Sequence, residues 1–135
     1  MKTGLVYSDR YLEHDTGPNH PERPARVQHI YQFIRSSDLN RELCWLEPRA
    51  ATIDDVTLLH KMSYVNRVKE ACRGGEAFLD SMDTAISPKS FDVALLAAGG
   101  VLALVDAVMS GTVRNGFALV RPPGHHAERE MALGF

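Results

Sequence analysis

The sequence predicts an α/β fold with a mainly parallel sheet, and two observations lead to this prediction. Short apolar runs typical of strands, at residues 3–8, 42–48 and 115–122, alternate with longer segments whose apolar residues recur at helical spacing. The last run, "NGFALVRP", is continuously apolar after its turn, as in a central strand buried on both faces of a parallel sheet. At 135 residues the chain is sized for one domain.

The elements of the first third of the chain follow from local signals. The run "TGLVYS" predicts a strand, and the polar segment "DRYLEHDTGPNHPERPA" after it predicts a long loop, of the kind that is usually functional. A helix is predicted from Pro24, since proline suits a first helical turn. Its apolar residues at helical spacing are Val27, Ile30, Tyr31 and Ile34. The run "ELCWLEP" predicts the second strand, which the proline ends.

Two shorter helices are predicted to follow. Thr52 with Asp55 three residues later is a capping-box pattern, which predicts the start of a short helix. Another helix is predicted from Ser63 to the glycine pair at 74–75. The residues that it is expected to bury are Val65, Val68, Ala71 and Cys72. Residues 76–86, "EAFLDSMDTAI", show no clear period and are predicted to form a loop.

A long apolar helix is predicted next, with Ser87 as its N-cap, Pro88 at its first position and Gly111 at its end. Its interior is apolar almost all round, so we expect it to be buried rather than half-exposed. Gly99 and Gly100 in its middle each cost about 1 kcal/mol of helix stability relative to alanine. Such a cost indicates that the helix backbone packs closely against a neighbouring segment.

Charge and hydropathy limit the classes of partner. The formal net charge of −2 does not resemble a basic nucleic-acid footprint, so we expect no nucleic-acid partner. The N-terminus "MKTGLVYSDRY" lacks the apolar core of a signal peptide. From the sequence, we expect no apolar run to approach the about 20 residues of a membrane span. These observations predict a soluble, cytoplasmic chain without a membrane partner.

Two adjacent histidines, His125 and His126, follow the last predicted strand in the stiff loop "PPGHH". The carboxyl ends of parallel strands are where ligands bind in open α/β sheets, and histidine can exchange a proton near neutral pH. Adjacent side chains tend to diverge, so a shared metal is disfavoured. One imidazole could face a reacting centre while the other hydrogen-bonds a buried carboxylate. The alternative is two surface histidines without chemistry, and the residues alone leave both open.

Four segments resemble one enzyme family. The segment "RPPGHHAEREMALGF" is similar to the signature of class II histone deacetylases and their bacterial acetoin-utilisation and acetylpolyamine relatives. The segments "HDTGPNHPERPARV", "LLHKMSYVNRV" and "DTAISPKSFDVALLAAGG" match the family in the right order. The resemblance implies an arginase/deacetylase-type three-layer α/β fold, of which residues 1–135 would be the N-terminal part of a single domain ending just after the His-His motif. It also implies zinc-dependent hydrolysis of an N-acetyl amide.

The resemblance also implies roles for residues near the end of the chain. His126 matches the general base, which later acts as acid to the leaving amine, and His125 matches its partner, oriented by a buried carboxylate. Gly134 matches a residue whose carbonyl receives the substrate amide N–H. Phe135 matches an aromatic wall of the acyl-lysine tunnel.

Other matches leave alternatives open. Arg26 matches an arginine that lines an internal cavity, or it simply pairs with Glu22 at the start of a helix. Either Asp80 or Asp83 could be the rim carboxylate that grips the substrate backbone, or both are solvated loop acids. We expect two further histidines, His20 and His60, to be structural, and Tyr64 not to be the family's catalytic tyrosine.

The family's zinc ligands, an Asp-x-His pair and a later aspartate, have no match in these residues, and Asp80, Asp83 and Glu128 show no substitute spacing. Zinc is therefore implied by the resemblance without ligands, and we expect this chain alone to be inactive. The substrate of the intact domain would be an acetylated lysine or a small acetylated amine. The alternative is a non-catalytic binding or assembly module. An open sheet edge beside residues 116–121 predicts self-association.

Overall fold

The structure, a computed structural model, describes residues 2–135 as a parallel sheet between helical layers. The strands are β1 (Thr3–Val6), β2 (Leu43–Leu46), β3 (Phe78–Leu79), β4 (Ser81–Ala85) and β5 (Asn115–Ala118). The helices are α1 (Pro24–Ser36), α2 (Ile53–Thr57), α3 (Met62–Gly74) and α4 (Ser90–Met109), with 3-10 turns at Asp9–Glu13 and Asp38–Glu42. The predicted α/β class with a mainly parallel sheet is confirmed.

The main sheet has the order β2-β1-β5, and all of its strands are parallel. Leu5 of β1 pairs with Trp45 on one side and with Phe117 on the other, so these three side chains share one face. Helix α1 packs on that face, where Tyr31 stacks on Tyr7 at 4.0 Å between ring centroids and meets Trp45 edge-on. The apolar core lies between this helix, the sheet and α4.

Helix α4 covers the opposite face, and glycines allow its close approach. A Cβ on Gly4 of β1 would lie 2.9 Å from Leu104 of α4, and one on Gly116 of β5 would lie 2.2 Å from it. On another side of the helix, a Cβ on Gly99 would lie 1.9 Å from the Arg49 carbonyl oxygen. The close backbone packing expected at the glycine pair is confirmed, because residues 49–51 cross the helix there.

Local signals located most element ends. The capping box of α2 is present, with Thr52 and Asp55 exchanging side-chain and backbone hydrogen bonds. Proline opens α1, and Gly75 ends α3 in the left-handed conformation. Helix α4 begins at Ser90 rather than at Pro88. Its predicted N-cap, Ser87, lies in the preceding turn and donates its backbone N–H to the Ser90 hydroxyl.

Two predicted loops contain regular structure, which corrects those predictions. Residues 76–86 form an antiparallel hairpin of β3 and β4, whose strands are too short to show a period. The loop after β1 contains the 3-10 turn Asp9–Glu13, which buries Tyr11. The Tyr11 hydroxyl donates to the Leu96 carbonyl at 3.2 Å, so this turn is attached to α4.

The expectation that β5 is a central strand buried on both faces is wrong for residues 2–135, where β5 pairs only with β1. Phe117 on it is 57% exposed, although it lies on the sheet face where Tyr31 of α1 packs against Tyr7 and Trp45. Helix α4 is not buried all round either, since Val101, Val105 and Met109 are exposed along one stripe. Ile30 of α1, one of the apolar residues at helical spacing, is exposed as well.

Among residues 2–135, one helix has the length and composition of a membrane span, contrary to the sequence-based expectation. Helix α4 has 20 residues, and its most apolar stretch has a mean hydropathy of 2.0. A third of the residues in that stretch are buried. A core helix of a soluble protein passes the same criteria. In this fold α4 packs on the sheet through Leu104, which explains the apolar composition of its inner side.

Candidate active site

The loop that carries His125 and His126 begins at a buried arginine, Arg121. Arg121 has no exposed surface, and its guanidinium forms a paired contact with Glu22, from Nε to Oε1 at 3.0 Å and from Nη2 to Oε2 at 2.9 Å. The remaining nitrogen donates to the carbonyl oxygens of Tyr11 and His14, at 2.8 and 2.5 Å. These hydrogen bonds therefore join the start of the loop to the N-terminal loop, in which Glu22 lies 99 residues earlier in the chain.

Charges around this contact determine which groups ionise. Burial alone would raise the pKa of Glu22, but the hydrogen bonds and charge of Arg121 outweigh it, so the pKa lies below its usual value. Burial lowers the pKa of His14 from 6.5 to about 4, assisted by the Arg121 charge. His14 Nδ1 bonds the Ser90 hydroxyl at 2.7 Å, while its Nε2 has no hydrogen-bond partner. The neutral imidazole is therefore the stable form.

The two loop histidines lie side by side at the surface. The ring centroids of His125 and His126 are 4.3 Å apart, with their planes tilted by 53°. Both residues are exposed, and no carboxylate among residues 2–135 hydrogen-bonds either ring. The buried carboxylate that the resemblance implies for His125 is thus not supplied by the described chain.

The end of the chain packs against His126. An ideal Cβ on Gly134 would lie 2.5 Å from His126 Cδ2 and 2.8 Å from its Cβ, so only glycine permits this approach. Gly134 has a φ of 72°, in the left-handed region where glycine is favoured. Phe135 meets the ring of His20 edge-on at 5.1 Å. The structure therefore brings together three of the predicted site residues, His126, Gly134 and Phe135, beside His125.

The two candidate rim carboxylates differ in their surroundings. Asp80 lies between β3 and β4, where it is paired with Arg67 and accepts the Ala132 backbone N–H at 2.7 Å. Asp83 is exposed, and the nearby Ser81 hydroxyl donates to it. That hydrogen bond is the main cause that lowers the pKa of Asp83. Asp83 has the free surface that a substrate-gripping group needs, and Asp80 is engaged within the protein.

A cavity of about 440 Å³ lies beside the loop, between α3, α4 and the hairpin. Its wall is mainly apolar, and its lining residues include His14, Tyr64, Phe91, His125 and Phe135. Arg26 is not part of this lining. It donates to Glu22 at 3.0 Å from the exposed side, which is the pairing that the sequence left open as an alternative.

The remaining predicted histidines make backbone contacts. His20 Nε2 lies 3.3 Å from the Asp83 carbonyl oxygen, and His60 Nδ1 lies 3.4 Å from that of Arg129. A zinc site needs about four ligands within some 2.3 Å of the metal. Over residues 2–135, no group of three or more histidine, cysteine, aspartate or glutamate side chains could hold a metal ion. The described residues therefore do not fit zinc.

Three residues that position the loop were missed from the sequence. Arg121 ends an apolar run in the sequence, and an arginine at the end of a buried run is itself a signal of a buried carboxylate partner. His14 and Arg67 carry no such local signal, because Ser90 lies 76 residues from His14 and the Glu130 carbonyl that Arg67 contacts lies 63 residues from Arg67.

Comparison with known proteins gives a consistent result. The family model described as "Histone deacetylase domain" matches residues 20–135. The chain is 38% identical to a "Probable deacetylase" of Archaeoglobus fulgidus over its whole length, covering 38% of that protein. It is 38% identical to the "Polyamine deacetylase HDAC10" of Homo sapiens, covering all of this chain and 22% of that protein. The structure superposes on the crystal structure of the HDA15 HD domain with a TM-score of 0.91 and 31% identity, over all of this chain and 39% of that one. The chain thus spans well under half of these relatives.

Proposed function

Because this chain belongs to the histone deacetylase family, we propose that it supplies the proton-transfer pair and part of the substrate site for hydrolysis of N-acetyl amides. The observation that carries the proposal is the packing of the Gly134 backbone against the ring of His126, with His125 and Phe135 adjacent. These contacts support a site in which His126 acts as the base, the Gly134 carbonyl as an acceptor and Phe135 as an aromatic wall.

Each residue has a role in the proposed reaction. His126 takes a proton from the attacking water at an imidazole nitrogen and returns it to the amine nitrogen as the amide C–N bond breaks. The neighbouring His125 ring stabilises the charge that His126 acquires. The Gly134 carbonyl accepts the substrate N–H, and Phe135 lines the acyl group. Asp83 is the better candidate for gripping the substrate backbone, since Asp80 is already paired.

Zinc is the cofactor that the family implies, and it would supply Lewis-acid polarisation of the acetyl carbonyl. Residues 2–135 do not provide a ligand set for it. We therefore propose that the ligands must come from residues other than those described here, and that the isolated chain does not hydrolyse acetyl-lysine.

The test begins by sequencing the reading frame across and beyond the codon for Phe135, and then compares two purified proteins. With zinc present, the product of the whole frame and the 135-residue chain are assayed on an acetyl-lysine peptide and on an acetylpolyamine. The second substrate is included because one relative is named a polyamine deacetylase. We expect hydrolysis only by a whole-frame product that supplies an Asp-x-His pair and a later aspartate.

The role of His126 is tested in the same active protein. His126→Ala should reduce kcat by about 10²–10⁴-fold, the usual contribution of a positioned acid–base group. Arg114→Ala, at an exposed position after α4, is the matched surface control and should not change the rate. Full activity of His126→Ala would contradict the proposed role, and zinc-dependent hydrolysis by the 135-residue chain would contradict the missing ligand set.

A second candidate function, a non-catalytic binding or assembly module, is favoured by a different observation. Within residues 2–135, β5 has an unpaired edge and carries exposed Phe117, and Val101 and Val105 on α4 are exposed as well. Apolar surface beside an open strand edge favours association. If the whole-frame product binds a protein but hydrolyses none of the acetylated substrates, this second function is the better description.

A further inference from the structure

Two ion pairs lie beside the segment that ends in Gly134 and Phe135: Lys61–Glu130, which is exposed, and Arg67–Asp80, which also contacts the backbone of the segment. Arg67 of α3 contacts both carboxylate oxygens of Asp80, and its Nη2 also donates to the Glu130 carbonyl oxygen at 2.9 Å. Asp80 Oδ2, which accepts from Arg67 Nη2, also accepts the Ala132 N–H at 2.7 Å. One helix, one hairpin turn and the terminal segment therefore meet at a single carboxylate.

The geometry of Asp80 suits this bridging position. Its side chain is only 16% exposed, and its φ of 61° turns the chain sharply between β3 and β4. Burial alone would raise the pKa of Asp80, but the hydrogen bonds from Arg67 and the Ala132 amide outweigh it, so the pKa lies below its usual value. The carboxylate is therefore ionised over the neutral range and available as an acceptor for both partners.

Ala132, whose N–H binds Asp80, is separated from Gly134 of the candidate site by one residue, Leu133. Ala132 is buried in a small apolar cluster with Tyr64 and Leu79, so its position follows the hairpin and α3. Gly134, two residues later, lies against the His126 ring. Because a single residue separates Ala132 from Gly134, we expect a shift of Ala132 to change the Gly134–His126 contact or the position of Phe135.

Resting on the proposed function, we infer that Arg67 and Asp80 form a positioning pair that sets the distance of Gly134 and Phe135 from the His126 ring. Asp80 thereby acts on the site indirectly, by holding the Ala132 amide, and does not contact substrate. Neither residue lies in the His-His motif, so their contribution to the site follows only from the fold.

The test uses the 135-residue chain and needs no deacetylase activity, so its failure is distinct from failure of the proposed function. Amide hydrogen exchange at Ala132 and the ring-proton chemical shifts of His126 are measured in Asp80→Ala, Asp80→Asn and Arg67→Ala. Lys61→Ala is the matched control, because its exposed ion pair with Glu130 holds the same segment but leaves Asp80 intact.

In Asp80→Ala we expect at least about tenfold faster exchange at Ala132, as for loss of a hydrogen bond to a charged group, together with a shift of the His126 ring signals. Asp80→Asn keeps one acceptor oxygen and should give a smaller change. Arg67→Ala should move the His126 signals without loss of the fold, because this arginine is 44% exposed. Lys61→Ala should match the parent chain.

Two results would overturn the inference. One is an unchanged His126 spectrum in both Asp80→Ala and Arg67→Ala. The other is an equal change in Lys61→Ala. If Asp80→Ala unfolds, as seen from uniform exchange that includes Leu5 of the central strand, the outcome in Arg67→Ala decides.

Discussion

Gly134→Ala should displace the His126 ring and slow the proposed hydrolysis by about two orders of magnitude. The new Cβ would lie 2.5 Å from His126 Cδ2 and 2.8 Å from His126 Cβ. Carbon atoms that are not bonded sit about 3.5–4.0 Å apart, so the contact must open by roughly 1 Å. A misplacement of that size can cost about 10²-fold in rate. Because the crowding includes the Cβ of His126, a rotation of the ring alone cannot relieve it.

The variant also carries backbone strain, which needs its own control. Alanine in the left-handed region costs about 1–2 kcal/mol relative to glycine. Gly111, at the end of α4, has a φ of 74° against 72° at Gly134, but nothing lies within 4 Å of its ideal Cβ. Gly111→Ala therefore introduces the same strain without the clash, at a distance from the site.

The assay is kcat/KM of the zinc-loaded whole-frame protein on an acetyl-lysine peptide, with thermal unfolding of each variant measured in parallel. We expect similar losses of stability in both variants and a rate loss only in Gly134→Ala. In the 135-residue chain, His126 ring signals should move in Gly134→Ala alone. Equal rates and unchanged His126 signals in the two variants would refute the reasoning from the contact geometry.

Three further predictions concern the fold. Gly99→Ala should destabilise the chain by about 1–3 kcal/mol in thermal unfolding, because its Cβ would clash with the backbone at Arg49, where no side chain can move aside. The control Gly74→Ala, which has open space around its Cβ, should be neutral or stabilising. Since the pKa of His14 falls from 6.5 to about 4 on folding, the unfolded chain binds the extra proton, and the free energy of unfolding should drop as pH falls from about 6.5 to 4. Urea unfolding of His14→Gln should lack this component, and parallel pH profiles would contradict the burial of a neutral imidazole. The chain should form oligomers in sedimentation, reduced in Phe117→Lys at the exposed β5 edge, and a monodisperse parent monomer would count against association through this edge.

Local signals predicted the elements whose causes lie within a few neighbouring residues. The Thr52 capping box and the left-handed end of α3 at Gly75 are such cases, and both are confirmed. The glycine pair in α4 predicted a close backbone neighbour, also confirmed, but could not identify residues 49–51 as that neighbour. The β3–β4 hairpin was missed because strands of two and five residues are too short to show an alternating pattern.

An apolar run in the sequence indicates that a segment is buried, but it does not identify the segments that pack against it. The run at β5 was therefore predicted as central, whereas within residues 2–135 it pairs on one side only. The candidate site shows the same division. Its histidine pair was visible as a motif, but the buried Arg121–Glu22 contact joins residues 99 apart and depends on the tertiary fold. The role of Asp80 likewise depends on Arg67 and Ala132, which no spacing in the sequence connects with it.

The strand order also affects when the sheet can be completed during synthesis. Thr3 of β1 pairs with Leu43 on one side and with Asn115, 112 residues further on, on the other. At about 5–20 residues per second, β5 emerges from the ribosome several seconds after β2. Throughout that interval the central strand has one unpaired edge, at which nascent chains are prone to wrong pairing. The first strand to be made is thus among the last to be fully paired, and chaperone protection should matter most at β1.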